Sequence, residues 1–469
     1  MEEIANVHIF RCGKWNFFFD VNKNAIIEIT KEAYNHLQHN LEINYIKENK
    51  ELLGMYDKGF LSSNRPTKIE HPFTNHVNEL LRSNIIKICL QVTQKCNFRC
   101  SYCVYSGGYY NRTHSDREMT WEIAKKSIDF LIEHSFDTDL IDVGFYGGEP
   151  LLRYDFIEKC IDYTMSQAEG KKVTFSITTN GSLLTEHMVE KFMKSNVDLV
   201  ISLDGPKVVQ DRNRCFINGE GTFDTVYNNL TKLLKKYPRL EKCLSINMVI
   251  DQSRDPSPII DFVSQNNSAI GRIDISAATI ADEWRKAPIK ECNAFEEQWE
   301  YGHFRYMLYM LGRIKKCDKD LRLWKDQFLR LKIFAENTKK DIRSLQNIEH
   351  PSGPCVPGQL RLFINAKGLF FPCERVSEST KDMIIGSVED GFHFDKVKKL
   401  LNVGKLTEEE CKNCFAIRNC TICATAVDDG GSLSRERKLK TCPDVRYSFE
   451  EMLRDLCVLK KCGYNLAND

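Results

Sequence analysis

Between Ile85 and Ala278 six short apolar runs alternate with stretches of helical period, and this alternation restricts the fold more than any other feature of the chain. The apolar runs are Ile85–Val92, Ile141–Phe145, Val173–Thr178, Val197–Leu203, Cys243–Ile250 and Arg272–Ser276. Trp121–Glu133, Tyr154–Ala168, Glu186–Lys194, Phe223–Lys236 and Pro258–Gln265 lie between them and carry apolar residues at helical spacing. Strands that alternate with helices build a parallel sheet. A closed barrel of this type needs about eight such units. Six predict an α/β fold with a partial (β/α)6 barrel, whose ligands sit at the C-terminal edge of the strands.

The residues at those edges are therefore the candidates for function. Directly after the first run the chain reads Cys96-Asn-Phe-Arg-Cys100-Ser-Tyr-Cys103. Thiolates this closely spaced repel one another unless a metal neutralises them, and such spacing ligates zinc or an iron–sulfur cluster. Three ligands leave a position open, as catalytic sites do, whereas a zinc ribbon would close with four. The second run leads into Gly147-Gly148-Glu149-Pro150. Paired glycines let backbone approach a ligand closely, and Glu149 supplies a carboxylate for an ammonium group. The third run ends in Thr179-Asn180-Gly181, and the fourth in Asp204-Gly205-Pro206 after Ser202, followed by Asp211-Arg-Asn-Arg214. Turn residues and a surface arginine are the plainer account of these last two.

A second cysteine-rich region begins at Cys355 and continues through Cys373, Cys411, Cys414, Cys420, Cys423 and Cys442. Two CxxC pairs five residues apart are equally compatible with one zinc ion. The other nine cysteines, Cys12, Cys89, Cys160, Cys215, Cys243, Cys292, Cys317, Cys457 and Cys462, show no grouping, and most are expected to be small buried hydrophobes. In a long chain of 469 residues metal clusters explain this usage better than a disulfide scaffold. A formal charge of +1, from 66 basic and 65 acidic residues, gives no reason to expect nucleic acid or an anionic membrane as partner. No apolar run approaches the roughly 20 residues that span a bilayer, and Met-Glu-Glu-Ile is no secretory signal, so a cytoplasmic location is expected.

The first 80 residues carry no cluster motif. Val7–Arg11, Trp15–Val21 and the segment ending at Ile29 read as strands, and Lys31–His39 and Ile43–Met55 as helices. Residues 286–349 read as a helical bridge, which divides the chain into units 1–80, 85–285, 286–349 and 350–469.

The Cx3Cx2C triplet, followed one strand later by Gly147-Gly148-Glu149-Pro150, resembles the signature of the radical S-adenosylmethionine (SAM) enzymes. The resemblance implies that Cys96, Cys100 and Cys103 hold a [4Fe–4S] cluster that binds SAM. It also implies that Gly147, Gly148 and Glu149 meet the SAM amino group, that Tyr102 lies beside adenine, that Asn180 and Ser202 meet ribose or methionine, and that Arg214 meets the SAM carboxylate. The C-terminal array resembles a SPASM domain with two auxiliary [4Fe–4S] clusters, the last spacing of its Cx2Cx5Cx2C run from Cys411 to Cys423 being one residue shorter than usual. That likeness gives Cys411, Cys414, Cys420 and Cys442 to one closed cluster. It gives Cys355, Cys373 and Cys423 to another, in which an iron is left open because Ser352-Gly-Pro stands where relatives place a further thiol. Glu374 is the candidate proton acceptor beside it, unless it is an ordinary surface carboxylate. The N-terminal unit is similar to the winged-helix-like domains that bind leader peptides, a role suited to β-strand addition. Together these features resemble thioether-forming maturases of the sactipeptide, ranthipeptide and SCIFF type, SCIFF peptides being cysteine-rich ribosomal products. The implied partners are a cysteine-rich precursor peptide held by its leader and a low-potential donor such as ferredoxin or flavodoxin. A sulfatase-type maturase that makes formylglycine, and a zinc-stabilised binding protein without catalysis, are the alternatives.

Overall fold

Three consecutive phenylalanines, Phe17, Phe18 and Phe19, are all buried in one strand, which requires both faces of its sheet to be covered. In the computed structural model, which describes residues 3–105, 108–112, 114–265, 270–281, 284–314, 319–340, 344–351, 353 and 355–464, that condition is met. Strands β1 (Val7–Cys12), β2 (Trp15–Asp20) and β3 (Ala25–Ile29) form an antiparallel meander with β2 in the middle. Phe18 faces a small core with Ala33, Leu37, Ile43 and Ile46, while Phe17, Phe19 and Val21 join the main core. The expected helix over Ile43–Met55 is two, Ile43–Ile46 and Lys50–Tyr56. Asn49 restarts the chain by accepting from the backbone N–H of Glu51 and Leu52, the bonds of an N-cap.

The six expected strands are present as β4 (Lys87–Thr93), β5 (Leu140–Gly147), β6 (Lys172–Thr179), β7 (Val197–Ser202), β8 (Leu244–Ile250) and β9 (Asp274–Thr279). Each pairs parallel with the next, in chain order. Residues beyond 350 do not stand apart from this sheet. Strand β10 (Leu362–Ile364) pairs parallel with Ile88–Leu90 of β4, and the short antiparallel strands β11 (Leu369–Phe371), β12 (Gly386–Ser387) and β13 (Gly391–Phe392) extend it to ten strands. The first core strand thus lies between the α/β unit and the cysteine-rich region.

The bridge is helical, with Asn293–Met310 and Lys325–Lys340 joined near Trp324. Trp324 is fully buried and donates from its indole to the Trp299 carbonyl. Its ring lies against Gly302, where a Cβ would come within 1.9 Å of it. Of the ungrouped cysteines Cys12, Cys89, Cys160 and Cys457 are buried, Cys215, Cys243, Cys292 and Cys462 are half-buried, and Cys317 lies outside the described residues. Among the described residues no helix is long and apolar enough to cross a membrane.

The N-terminal sheet is fastened to the long helix Arg435–Lys461. Phe19 meets Phe449 edge-on at 5.4 Å, His8 stacks on Phe415 at 3.7 Å, and its Nε2 lies 2.9 Å from the Glu450 carboxylate. Phe449 also touches Phe334 and Phe415. Phe449→Ala is expected to cost about 3–5 kcal/mol, the usual loss for a buried ring. A lowered midpoint of thermal unfolding with unchanged helical content by circular dichroism checks this.

Candidate active site

The loop that carries Cys96, Cys100 and Cys103 follows β4 and is held from three neighbouring strands. At the end of β5, Gly147 adopts φ +138° and Gly148 donates its N–H to the Thr93 carbonyl at 2.8 Å, while Glu149 N–H reaches the Lys95 carbonyl at 2.8 Å. A Cβ at Gly147 would stand 2.0 Å from the Thr93 oxygen, and one at Gly148 would stand 2.0 Å from the Lys95 oxygen. The glycines thus admit the cysteine loop itself, rather than only a ligand as their sequence setting implied. From the end of β6, Asn180 donates to the Asn97 side-chain oxygen at 2.8 Å, and Asn97 donates to Ser182 at 2.9 Å. Beyond β7, Arg214–Phe216 pairs antiparallel with Phe98–Cys100 and sets Arg214 opposite Cys100.

The thiols of this loop act electrostatically on one another. Burial pushes Cys96 and Cys100 up to about 12 and raises Cys103 as well. Thiols in such a place become thiolates only if a cation is supplied, which bound metal does. Hydrogen-bond polarity separates them from ordinary cysteines. Cys96 accepts from the Phe98 N–H at 3.4 Å, and Cys103 accepts from that of Tyr105, each two residues ahead. Cys373, Cys414 and Cys420 accept in the same way from Arg375, Ala416 and Ile422. Cys12, Cys215 and Cys243, outside the motifs, donate to carbonyl oxygens instead. Backbone N–H groups aimed at sulfur favour a charged ligand and tune a cluster. Among the described residues no three Cys, His, Asp or Glu side chains close on a single-ion position. A cluster gives each thiolate its own iron and holds the sulfurs farther apart.

Glu149 is buried and its carboxylate is fixed by three donors, Leu151 N–H at 3.0 Å and the Thr179 hydroxyl at 2.6 Å on Oε1, and Asn180 N–H at 2.8 Å on Oε2. Burial raises its pKa, and these bonds oppose the rise. It therefore stands as a rigid acceptor at the strand edge, as a group that meets an ammonium should. Asn180 is otherwise occupied, since its oxygen accepts from Ser182 and its nitrogen serves Asn97. Ser202 ends β7 and is buried beside Asn247 of β8. Arg214, expected to meet the SAM carboxylate, forms a bidentate pair with Asp204 at 2.9 and 3.0 Å, both buried. Asp204 also accepts from the Tyr102 hydroxyl and from Val249 N–H, and Arg214 lies over the Tyr102 ring at 5.2 Å. The Asp204-Gly-Pro turn showed that a carboxylate stood at the edge, but nothing in the sequence linked it to Arg214.

The C-terminal thiols fall into two groups. Cys373, after β11, feels Cys355 and Cys423. Cys411, Cys414, Cys420 and Cys442 act on one another. Cys355 is exposed, and the others of both groups are half-buried or buried. Glu374, beside Cys373, accepts an ion pair from Arg361 on Oε1 at 2.7 Å, while its Oε2 is buried without a hydrogen-bond partner. A network unread in the sequence ties the regions together. Gln91 of β4 donates to Glu378 at 2.9 Å and accepts from Ala366 N–H at 3.1 Å, and Arg112 lies 3.1 Å from the same Glu378 carboxylate.

The family model described as the radical SAM superfamily matches residues 90–263, the segment that holds this loop and its supports. The cysteine-type anaerobic sulfatase-maturating enzyme of Clostridium perfringens is 32% identical over 341 residues, 69% of this chain and 84% of that relative. The chain belongs to the radical SAM superfamily. SAM and one [4Fe–4S] cluster are the cofactors expected of a radical SAM protein, and the acceptor polarity of the loop thiols together with the fixed Glu149 carboxylate fits them. The radical SAM cyclopropyl synthase TigE of Paramaledivibacter caminithermalis is 30% identical over 262 residues, 51% of this chain and 52% of the relative. A Methanocaldococcus jannaschii protein is 34% identical and matched over 46% of its length, so the chain spans about half the length of these two. Among solved structures, native anSMEcpe with bound AdoMet and Cp18Cys peptide superposes with a TM-score of 0.57 at 19% identity, over 80% of this chain and 99% of that one, a likeness of fold.

Gly148→Ala is expected to displace the Lys95 carbonyl and with it the cysteine loop. The iron content of reconstituted protein should fall by one cluster, and 5′-deoxyadenosine production should be lost. Asp204→Asn leaves Arg214 buried beside a neutral partner, and is expected to cost about 3–5 kcal/mol. Chemical denaturation of the variant against the parent measures it.

Proposed function

We propose that this radical SAM protein joins a cysteine sulfur to a carbon of another residue in a ribosomally made, cysteine-rich precursor peptide, forming a thioether. The observation that supports this reading is that Cys373 lies within electrostatic reach of both Cys355 and Cys423, with Cys355 exposed. Three protein thiols leave room for a fourth from the substrate, and the exposed side gives it entry. A crosslink removes two hydrogens from the peptide. One leaves the acceptor carbon as a hydrogen atom, the thiol gives up a proton, and one further electron must depart. SAM and its cluster, when bound, supply the hydrogen-atom abstraction.

The chain's own residues have definite parts in this scheme. Glu149 orients the SAM ammonium, and Arg214 with Asp204 fixes Tyr102 and Cys100 at the mouth of the strands. The four thiols Cys411, Cys414, Cys420 and Cys442 would hold a closed auxiliary cluster, which would supply an exit for the last electron, and a low-potential donor of the ferredoxin or flavodoxin type would reduce the SAM site. The leader of the precursor is held by the N-terminal unit, where the outer edges of β1 and β3 pair with no further strand among the described residues. Glu374, paired with Arg361 through one oxygen, stands next to Cys373 as the candidate acceptor of the substrate thiol proton.

The extent of the match to sulfatase-maturating enzymes supports a second reading, oxidation of a substrate cysteine or serine to formylglycine. Incubation of the anaerobically reconstituted protein with SAM, a reductant and a cysteine-rich precursor separates the two. Thioether formation gives a product two hydrogens lighter that has lost one alkylatable thiol and does not react with hydrazide. An aldehyde product that reacts with hydrazide would establish the second reading instead. Cys355→Ser is expected to abolish the crosslink while uncoupled 5′-deoxyadenosine formation persists at half or more of the parent rate, because the cysteines of the SAM site are separate.

A further inference from the structure

Lys438 is 1% exposed, a burial seldom tolerated by an ammonium group. It stands in the first turns of helix Arg435–Lys461, where the positive end of the helix dipole makes a cation still less favourable. Its Nζ has three partners: the Thr407 hydroxyl oxygen at 2.7 Å, the Gly404 carbonyl at 3.4 Å and Cys411 Sγ at 3.5 Å. None is a carboxylate. The ammonium has three protons, and these three acceptors use all of them. Thr407 spends an oxygen lone pair on Lys438, so its own proton is free to point at Cys411 Sγ, 3.3 Å away. Cys411 Sγ thus lies within reach of two donors.

The placement extends beyond one sulfur. Lys438 and Cys442 are four residues apart on the same helix and share a face. Lys438 also acts electrostatically on Cys420 and Cys442. One buried cation therefore serves a group of four thiols, with no competing anion among its hydrogen-bond partners.

We infer that Lys438 is the charge-compensating residue of the four-cysteine array, and that it raises the reduction potential of the cluster held there above that of a four-thiolate cluster without such a cation. This rests on the reading of Cys411, Cys414, Cys420 and Cys442 as cluster ligands. A cluster with four thiolates gains a further negative charge on reduction, and a fixed ammonium beside it stabilises the reduced form more than the oxidised one. In the scheme above, that favours acceptance of an electron from the reaction by this array. Lys438 is thus a positioning and tuning residue that makes no contact with the peptide.

The test uses the full chain with Cys96→Ala, Cys100→Ala and Cys103→Ala, so that only the C-terminal arrays report, reconstituted anaerobically and titrated reductively with electron paramagnetic resonance detection. Lys438→Met, which keeps the length and removes the charge, should move the midpoint of one auxiliary signal to lower potential and leave the other in place. Lys438→Arg, which keeps the charge, should restore most of the shift. Loss of that cluster in Lys438→Met with retention in Lys438→Arg would support the same conclusion. An unchanged or raised midpoint at full iron content would overturn it, as would loss of the cluster in both variants, which is the mark of a packing role. Zinc, or iron and sulfide for fewer than two clusters in the parent, would reject the reading of the array and the inference with it.

Discussion

Sulfur that must carry negative charge inside a protein needs a cation, a donor or both, and much of this molecule is arranged around that need. The loop of Cys96, Cys100 and Cys103 is low in exposure, and its thiols are driven toward the neutral form by burial. Backbone N–H groups from Phe98 and Tyr105 oppose that drive, and the field of Arg214 acts in the same sense on Cys100 and Cys103. At the C-terminal array a lysine does similar service for Cys411. Neither device suffices to hold several thiolates together without metal, which is why the Cys96 loop fits the [4Fe–4S] cluster expected of a radical SAM protein.

The strand ends supply the rigidity. Glycine at 147 and 148 allows two carbonyls of the cysteine loop to occupy space that any Cβ would fill, and both neighbouring N–H groups are used in the same contact. The supports at Asn180 and Arg214 arrive from different strands, so the loop is fixed by the sheet as a whole. A substitution at Gly147 or Gly148 therefore reaches the loop through backbone, whereas one at Asn180 acts through its side-chain bond to Asn97.

Much of this was legible in the sequence because it rests on local pattern. Six apolar runs became six parallel strands, and helices such as Trp121–Glu133 and Phe223–Lys236 begin and end where their periodicity does. The Cys96, Cys100 and Cys103 loop was placed by the same local pattern, at the end of the first core strand, whereas the division of the C-terminal thiols into two sets came from a family likeness and not from spacing. Tertiary pairing between charged groups is not legible in local pattern. Asp204 lies ten residues from Arg214 behind a turn, and the pair exists only when β7 and β8 present that turn to the cysteine loop. Arg361 reaches Glu374 from the far side of a hairpin. The junction of β10 with β4 was hidden too, as nothing in a three-residue strand names its neighbour.

One helix joins two of these regions. Arg435–Lys461 carries Lys438 and Cys442 near its start and Phe449 and Glu450 near its middle, where the N-terminal sheet is docked. Cys442 and Phe449 are two turns apart, about 10 Å along the axis, and seven residues bring them back to nearly the same face. The sheet that presents Phe19 and His8 is therefore braced on the same rigid element as the four-cysteine array.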